Sequence, residues 1–183
     1  MNEKVVLGVL QGSHGVNGLV KIKWYTGRAE GLSAYGPVTL SGGKVHNLAL
    51  KSDGTVVAWG HSSNQFGQLD VPEGLNNVIE ISCGAFHSLV LKSDGTVVAW
   101  GRNDVDQCDI PEGIENPIAF DAGYLQTVIV KSDSTVVAWG YNSHGQSNEP
   151  SDLSGVINVR AGAYHTIALK SDRTAVHWGS TGA

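Results

Sequence analysis

The chain has few of the residues from which helical cores or disulfide frameworks are built. Its 183 residues include one methionine and two cysteines, against 24 glycines. This excess of glycine, with few long runs of good helix formers, predicts short strands and many turns, so we expect an all-β fold. Cys83 and Cys108 are too few for a disulfide framework and do not form a metal-type pair, which predicts two free thiols.

Sequence typical of secretion or of membrane spans is also lacking. The N-terminal stretch MNEKVVLGVLQG has neither a long enough apolar run nor a small-residue cleavage pattern. No other stretch approaches the length of a membrane span. We therefore expect a cytoplasmic protein with no membrane partner.

Positive charge is scarce outside the N-terminal quarter. The formal charge of −5 divides into +3 over residues 1–45 and −8 over residues 46–183. A basic head can contact RNA phosphates, but an acidic body repels a nucleic-acid chain laid along it. General nucleic-acid binding is therefore not expected.

The chain does contain one pattern repeated four times. The segment HSLVLKSDGTVVAWG, which begins at His87, aligns without a gap with the segments that begin at His46, Gln126 and His165. The tryptophans of successive units are 41, 39 and 39 residues apart. Because the two extra residues of the first interval fall in HSSNQFGQ, that segment is predicted to be a loop.

Each repeat predicts a β-hairpin with apolar residues on both faces. Leu89 faces one way and Val90 the other, so both faces must be covered. The joining SDGT is a tight turn in which Gly95 is free to take a positive φ. Ser134 and Arg173 stand at this position in later units, at a cost of about 1 kcal/mol each if the left-handed conformation is kept.

Further strands are predicted in each unit. A third strand precedes each hairpin, as in VIEIS from Val78, PIAFD from Pro117 and VINVR from Val156. The segment around QLDVP is predicted to supply a short fourth strand at the edge. Four antiparallel strands in a unit of roughly forty residues describe the blade of a β-propeller.

The repeat resembles that of the regulator-of-chromosome-condensation family, particularly the short bacterial type also seen in propeller-shaped β-lactamase inhibitor proteins. The motifs that carry the resemblance are G-x-x-H-[ST]-L-x-L-K-S-D-G-T-V-x-A-W-G and the following N-x-x-G-Q-x-x-V-P, over about residues 43–183. The resemblance implies a closed propeller of seven blades, whereas this sequence has four hairpins and three complete linkers. We therefore predict a partial β-propeller with units near residues 38–77, 78–116, 117–155 and 156–183.

The head of the chain does not fit the repeat. Its segments SHGVNG, VKIKWYT and GLSAYGP resemble the N-terminal barrel of the ribosome maturation factor RimM over about residues 4–41. The family pattern has Asp and Pro after the Thr, where this chain reads TGRAEGL. We predict an N-terminal half-barrel over residues 1–41 and a propeller-repeat region over residues 42–183, with the strand VTLS shared by both and no flexible linker between them.

The repeat itself separates structural positions from functional candidates. His46 and His87 share one register with Gln126 and His165, so we interpret this position as a hydrogen-bonding scaffold. The loops that follow each Trp-Gly differ between units and lie at one rim, where propellers bind partners. The candidate partner-binding residues of these loops are Phe66, Arg102, Asp104, Tyr141 and His144, and solvated loop tips without a partner are the alternative.

The remaining polar clusters do not indicate an enzyme. Asp104, Asp106 and Asp109 lack the glycine and the final Glu of a calcium loop. No triad, paired-carboxylate site or metal cage is evident, so we expect no catalysis, no cofactor and no metal. Lys21 and Lys23 lie on one face of a strand and are candidate RNA contacts, with a solvated strand face as the alternative.

These observations favour a non-enzymatic protein–protein interaction module. Open blade edges present unpaired N–H and C=O groups that recruit other chains, so we expect a protein partner, in the first place another copy of the chain that completes the ring. One alternative is a ribosome maturation factor that acts on the small ribosomal subunit through the RimM-like head. Another is a recombinant fusion without a selected function.

Overall fold

A computed structural model describes residues 5–9, 19–22 and 39–180 of the chain. The regular structure of these residues is β-strand without any helix, which confirms the all-β prediction. In the head, β1 (Val5–Val9) and β2 (Leu19–Ile22) form a two-stranded antiparallel sheet. The rest of the predicted half-barrel, including Lys23, lies outside the described residues, as does the side chain of Lys21.

Four three-stranded antiparallel sheets follow, one for each repeat, and in each sheet the middle strand lies between the first and the last. The strands are β3 (Thr39–Gly42), β4 (His46–Leu50) and β5 (Val56–Gly60); β6 (Val78–Cys83), β7 (His87–Lys92) and β8 (Val97–Gly101); β9 (Ala119–Ala122), β10 (Gln126–Val130) and β11 (Val136–Gly140); and β12 (Val156–Ala161), β13 (His165–Lys170) and β14 (Ala175–Gly179). The first strands of successive sheets pack against each other. The described sheets do not close into a ring, which confirms a partial β-propeller.

The hairpin turns keep one backbone conformation in all four units. The residue after the Asp has a positive φ whether it is glycine or not, with values of 77° at Gly54, 83° at Gly95, 66° at Ser134 and 70° at Arg173. The Asp side chain also accepts the backbone N–H of the Thr two residues later, at 3.0 Å between Asp94 and Thr96. The strain expected at Ser134 and Arg173 is therefore present.

The predicted fourth strand is wrong for the described residues, because the segment around QLDVP contains no strand. Its N–H groups bond within the loop rather than to a neighbouring strand, and those of Asp70 and Val71 donate to the carbonyls of Gly67 and Leu69. Asn64 Oδ1 accepts the N–H of Leu69 at 2.9 Å, and Gln68 Oε1 accepts the N–H of Phe66 at 3.2 Å. Pro72 has no N–H to contribute to a ladder, which further disfavours strand pairing there.

Within residues 39–180 the hydrophobic core consists of three layers, each between two successive sheets. Leu48 and Leu50 of the first unit pack with Val90 and Trp100 of the second. On the opposite face of the second unit, Leu89 packs in a different layer. The third layer, between the third and fourth units, contains Val128, Val130, Val136, Val156, Val159, Ala168 and Trp178. The predicted two-faced hairpin is confirmed.

The predicted junction between head and repeats falls at β3. This strand pairs with β4 in the register Thr39↔Leu50 to Gly42↔Asn47, and the N–H of Gly43 donates to the carbonyl of His46 at 2.8 Å. The strand that includes TLS therefore precedes the first hairpin as predicted. In the described residues β1 and β2 form a separate sheet, and the sharing of β3 with the head stays a prediction.

Candidate functional site

A polar contact joins each unit to the next through the register that begins the hairpin. His46 Nε2 lies 2.9 Å from Ser88 Oγ, and His87 Nε2 lies 3.1 Å from Thr127 Oγ1. In the third unit the amide of Gln126 takes the same place and donates to a hydroxyl of the fourth unit at 2.9 Å. These side chains are buried, which confirms the scaffold interpretation of His46, His87 and Gln126.

A second contact between units uses side-chain oxygens on the first strands. Ser41 Oγ accepts the N–H of Cys83 at 3.0 Å, and Ser82 Oγ accepts the N–H of Ala122 at 3.1 Å. Asp121 Oδ2 accepts the N–H of Ala161 at 2.9 Å in the same register. Each of the first three units therefore supplies hydrogen-bonding side chains to the unit that follows it.

The fourth unit carries the same registers on a face that no described unit covers. We call this the uncovered face, and it consists of Arg160, His165, Ile167, Leu169, Ala175 and His177, which the strand register places on one side of the sheet. Ile167 is 41% exposed and Leu169 40% exposed, whereas Leu48 and Leu89 in the same register as Ile167 are fully buried. The uncovered face is an apolar surface rimmed by polar groups.

Hydrogen bonds from their own side chains hold the loops that follow each Trp-Gly. Asn64, Asn103 and Asn142 each donate to the side chain six residues later, at 2.6, 2.8 and 2.7 Å. Buried glutamines two residues after each loop tip accept backbone N–H groups, as Gln107 does from Val105 at 3.1 Å. The loop residues that differ between units are therefore attached to a backbone that these hydrogen bonds, which recur at equivalent positions, hold in the same conformation.

These loops contribute to a continuous line of rings along one rim, which we call the aromatic row. Its members in spatial order are Phe66, Phe86, Tyr124, Tyr164, His144 and Tyr141. Successive ring centroids are 5.4, 5.8, 6.3, 4.6 and 6.2 Å apart. The first two ring pairs are edge-to-face, the arrangement that the ring quadrupoles favour.

Two cationic side chains lie over the rings of the aromatic row. Lys44 Nζ is 5.0 Å from the ring centroid of Tyr124 and 5.5 Å from that of Phe86. The guanidinium of Arg102 is 4.9 Å from the centroid of Phe66. Arg102 also binds both carboxylate oxygens of Asp104, at 2.7 and 2.6 Å, and this pairing lowers the pKa of Asp104.

The structure brings the sequence-derived candidates together in two groups. Phe66, Arg102 and Asp104 meet at one end of the aromatic row, and Tyr141 and His144 meet at the other. Sequence reasoning missed the members that join these ends, which are Phe86, Tyr124, Tyr164 and Lys44. The available signal was their variation, since Val45, Leu125, Ala85 and Ala163 fill the equivalent positions of other units.

Nothing in the described residues resembles a reactive centre. No group of three or more His, Cys, Asp or Glu side chains within them is placed to hold a metal ion. Both cysteines are free, and burial raises the pKa of the Cys83 and Cys108 thiols to about 12, which keeps them protonated and unreactive. Among the described residues, no helix is long and apolar enough to cross a membrane.

Two known families match separate parts of the chain. Residues 78–107 match the regulator of chromosome condensation (RCC1) repeat, and residues 5–59 match the RimM N-terminal domain. The RimM match thus extends through β3, β4 and β5. Ribosome maturation factor RimM of Parvibaculum lavamentivorans is 55% identical over 51 residues, and that of Gluconacetobacter diazotrophicus is 40% identical over 52 residues. The matched segments cover 27% and 28% of this chain and the same shares of those relatives, so the chain spans little more than a quarter of their length.

Solved propeller structures share the fold of the repeat region. The yeast RCC1 protein Prp20, solved bound to Kap60, superimposes with a TM-score of 0.68 at 22% identity over 88% of this chain and 46% of its own. The CRINKLY WD40 ectodomain of the Arabidopsis thaliana receptor kinase ACR4 gives a TM-score of 0.65 at 24% identity over 78% of this chain and 50% of its own. The four sheets therefore have the fold of propeller blades, and residues 78–107 match the RCC1 repeat.

Proposed function

We propose that this chain is a non-enzymatic protein-interaction module whose fourth repeat unit binds a repeat unit of a second copy. The observation that carries the proposal is the uncovered face of the fourth unit. Ile167 and Leu169 stand in registers whose residues in the other units are buried at a junction, and here they are exposed to solvent. Burying apolar surface is the main favourable term in protein association.

The chemistry of the uncovered face is that of a blade junction. His165 occupies the register of His46 and His87, whose imidazoles contact a hydroxyl of the following unit. Ile167 and Leu169 occupy the register of Leu48 and Leu50, which pack against the second unit. The partner surface that suits this face is therefore the side of a repeat unit that carries a small polar residue and apolar neighbours.

The first unit of a second copy offers such a side. Asn47 stands where the other units have Ser88, Thr127 and a further threonine, and it supplies an amide that can bond to His165. Val57, on the strand beside it, is 43% exposed. A head-to-tail contact between the fourth unit of one copy and the first unit of the next follows from this pairing.

Light scattering over a range of protein concentrations tests the proposal. We expect the mass to rise above that of the 19.3 kDa monomer with concentration. Changing Ile167 and Leu169 together to Asp should restore the monomer, because it places charges on the apolar surface to be buried. A monomeric mass of the unmodified chain at every concentration would contradict self-association.

Ile157→Asp is the matched control for that experiment. Ile157 is 46% exposed, and its register mates Ile79 and Ile118 are 57% and 49% exposed although both neighbours of their units are present. Its exposure is therefore a property of every unit rather than of the uncovered face. Equal effects of this change and of the Ile167 and Leu169 changes would contradict a junction at the uncovered face.

A second candidate function is ribosome association through the head. The observation that favours it is the match of residues 5–59 to the RimM N-terminal domain, with 55% identity to one RimM over 51 residues. The test is cosedimentation with small ribosomal subunits at low salt, with Lys21 and Lys23 changed to Glu. A control variant with Lys92 and Lys131 changed to Glu alters the charge equally in two hairpin turns, and equal binding by both variants would exclude the head as the contact.

A further inference from the structure

We propose that the aromatic row binds an extended peptide segment of a protein partner, one that carries aliphatic side chains and a carboxylate that is held by Lys44. This inference rests on the proposed role as a protein-interaction module. It does not depend on self-association, because the aromatic row and the core of the uncovered face use different residues.

The aromatic row is not a by-product of the repeat. Phe86 and Tyr164 occupy one register, whose other members are Val45 and Leu125, and Tyr124 occupies another. The loop members Phe66 and His144 share a third register, in which the middle unit has valine. Because the fold accepts aliphatic or small residues at these positions, the continuous line of rings is not required by blade structure.

Hydrogen bonds position the row in the absence of a partner. Phe66 and His144 sit in loops whose backbone N–H groups bond to the buried glutamines Gln68 and Gln146, at 3.2 and 2.9 Å. The rings at Phe86, Tyr124 and Tyr164 adjoin the first residues of the hairpins. A surface that is ordered in advance loses little conformational entropy on binding, which is the property that makes aromatic residues effective in protein interfaces.

Ring orientation decides between peptide side chains and flat ligands. The planes of Phe66 and Phe86 meet at 68°, and those of Phe86 and Tyr124 meet at 82°. Successive stacked bases suit ring faces that are close to parallel, whereas no neighbouring pair in the row meets at less than 37°. Tilted rings instead leave angular gaps that aliphatic side chains fill, and an extended peptide places such side chains on one face at every second residue.

The charge of the row identifies the polar partner group. Lys44 Nζ donates to the hydroxyl oxygen of Tyr124 at 3.3 Å, and the ion pairs among the described residues do not include Lys44. Arg102, in contrast, is already paired with Asp104. A carboxylate beside Lys44 would accept from its ammonium group and from the hydroxyl of Tyr124. A cationic ligand is disfavoured at this end of the row because cations already lie over the rings of Phe66, Phe86 and Tyr124.

Nucleic acid does not fit the surroundings of the row. The middle loop carries Asp104, Asp106 and Asp109, and the exposed carboxylates of Asp106 and Asp109 have no cationic partner among the described residues. A chain of phosphates laid along the rim would pass these carboxylates, which repel it. A peptide with a single carboxylate at Lys44 avoids that repulsion.

Fluorescence anisotropy with labelled short peptides tests the proposal. In the probes, leucine or isoleucine stands at every second residue, so that these side chains share one face, and a single one of these positions is Glu, Gln or Lys. A labelled single-stranded oligonucleotide serves as the nucleic-acid probe. We expect the affinity to fall in the order Glu, Gln, Lys, with about a two- to fivefold step between Glu and Gln, the size of an exposed ion pair. No binding of the Glu peptide, or preferential binding of the oligonucleotide, would overturn the proposal.

Variants locate the binding. Lys44→Gln should abolish the preference for Glu over Gln while the Gln peptide still binds, and Phe86→Ala should weaken all peptides. Lys131→Gln, which removes a lysine from a hairpin turn, is the matched control and should change nothing. The measurements are repeated with Ile167 and Leu169 changed to Asp, so loss of self-association alone leaves peptide binding intact. An unchanged preference for Glu in Lys44→Gln would overturn the assigned role of Lys44.

Discussion

His87 Nε2 lies 3.1 Å from Thr127 Oγ1, and the hydroxyl of Thr127 in turn donates to the carbonyl of Gln107 at 2.8 Å. Because that hydroxyl uses its own proton on Gln107, the imidazole must be the donor, so its proton is on Nε2. In the next unit the amide of Gln126 donates to Thr166 Oγ1, which donates to the carbonyl of Gln146. The junction therefore needs one buried N–H donor, and either residue type supplies it.

Exchange of the two donors is the first prediction. His87→Gln should cost less than about 1 kcal/mol in the free energy of unfolding, because glutamine keeps the donor to Thr127. His87→Ala should cost about 2–4 kcal/mol, since it leaves a cavity and removes the donor to the buried oxygen of Thr127. Urea unfolding measures both, and equal losses would show that the hydrogen bond contributes nothing at this junction.

Acid sensitivity is the second prediction. Burial lowers the pKa of His46 to about 4 and that of His87 to about 3. Below pH 6.5 the unfolded chain binds protons at these histidines while the folded chain does not. Stability is therefore complete above about pH 6.5 and falls as the pH decreases, by on the order of 1 kcal/mol per pH unit for each histidine.

Urea unfolding between pH 7 and pH 5 measures this dependence, since most carboxylates stay ionised in that interval. The double variant with His46 and His87 changed to Gln keeps the donors and removes the two titrating groups. It should flatten most of the decrease in stability. A decrease of the same slope in the double variant would assign the acid sensitivity to other groups.

The buried carboxylate of Asp121 gives a third prediction. Burial raises the pKa of Asp121, and its two oxygens accept the hydroxyl of Ser82 at 2.8 Å and the N–H of Ala161 at 2.9 Å. Asp121→Ala should cost about 2 kcal/mol, because it leaves both donors buried and unpaired. Asp121→Ser, which copies the first two units, should recover at least half of that loss in thermal or urea unfolding.

The strained hairpin turns give a fourth prediction. Ser134 and Arg173 have φ values of 66° and 70°, which glycine adopts without cost. Ser134→Gly and Arg173→Gly should each raise the free energy of unfolding by about 0.5–1 kcal/mol. The control is Ser132→Gly in the same turn, where φ is not positive, and it should destabilise because glycine makes the unfolded chain more flexible. A gain of stability in the control would contradict strain as the cause.

Much of the blade could be predicted from particular residues. The alternation of Leu89 and Val90 specified a hairpin buried on both sides, and the shared register of His46, His87 and Gln126 specified a scaffold contact. The predicted fourth strand failed because the N–H groups of that segment bond within the loop, that of Leu69 to Asn64 Oδ1 and those of Asp70 and Val71 to nearby backbone carbonyls. That competition depends on side-chain reach within a folded loop, and residue propensity does not reveal it.

The sequence by itself determined the repeat, the strands of each blade and the turn positions, because these follow from the two-residue period of a strand and from local backbone preferences. Only the tertiary structure decided that Phe86, Tyr124 and Tyr164 join Phe66 and His144 in one row. Those rings come from three registers of different units. Their proximity depends on how the sheets stack and twist against one another, which is a relationship between units that the pattern within one unit does not specify.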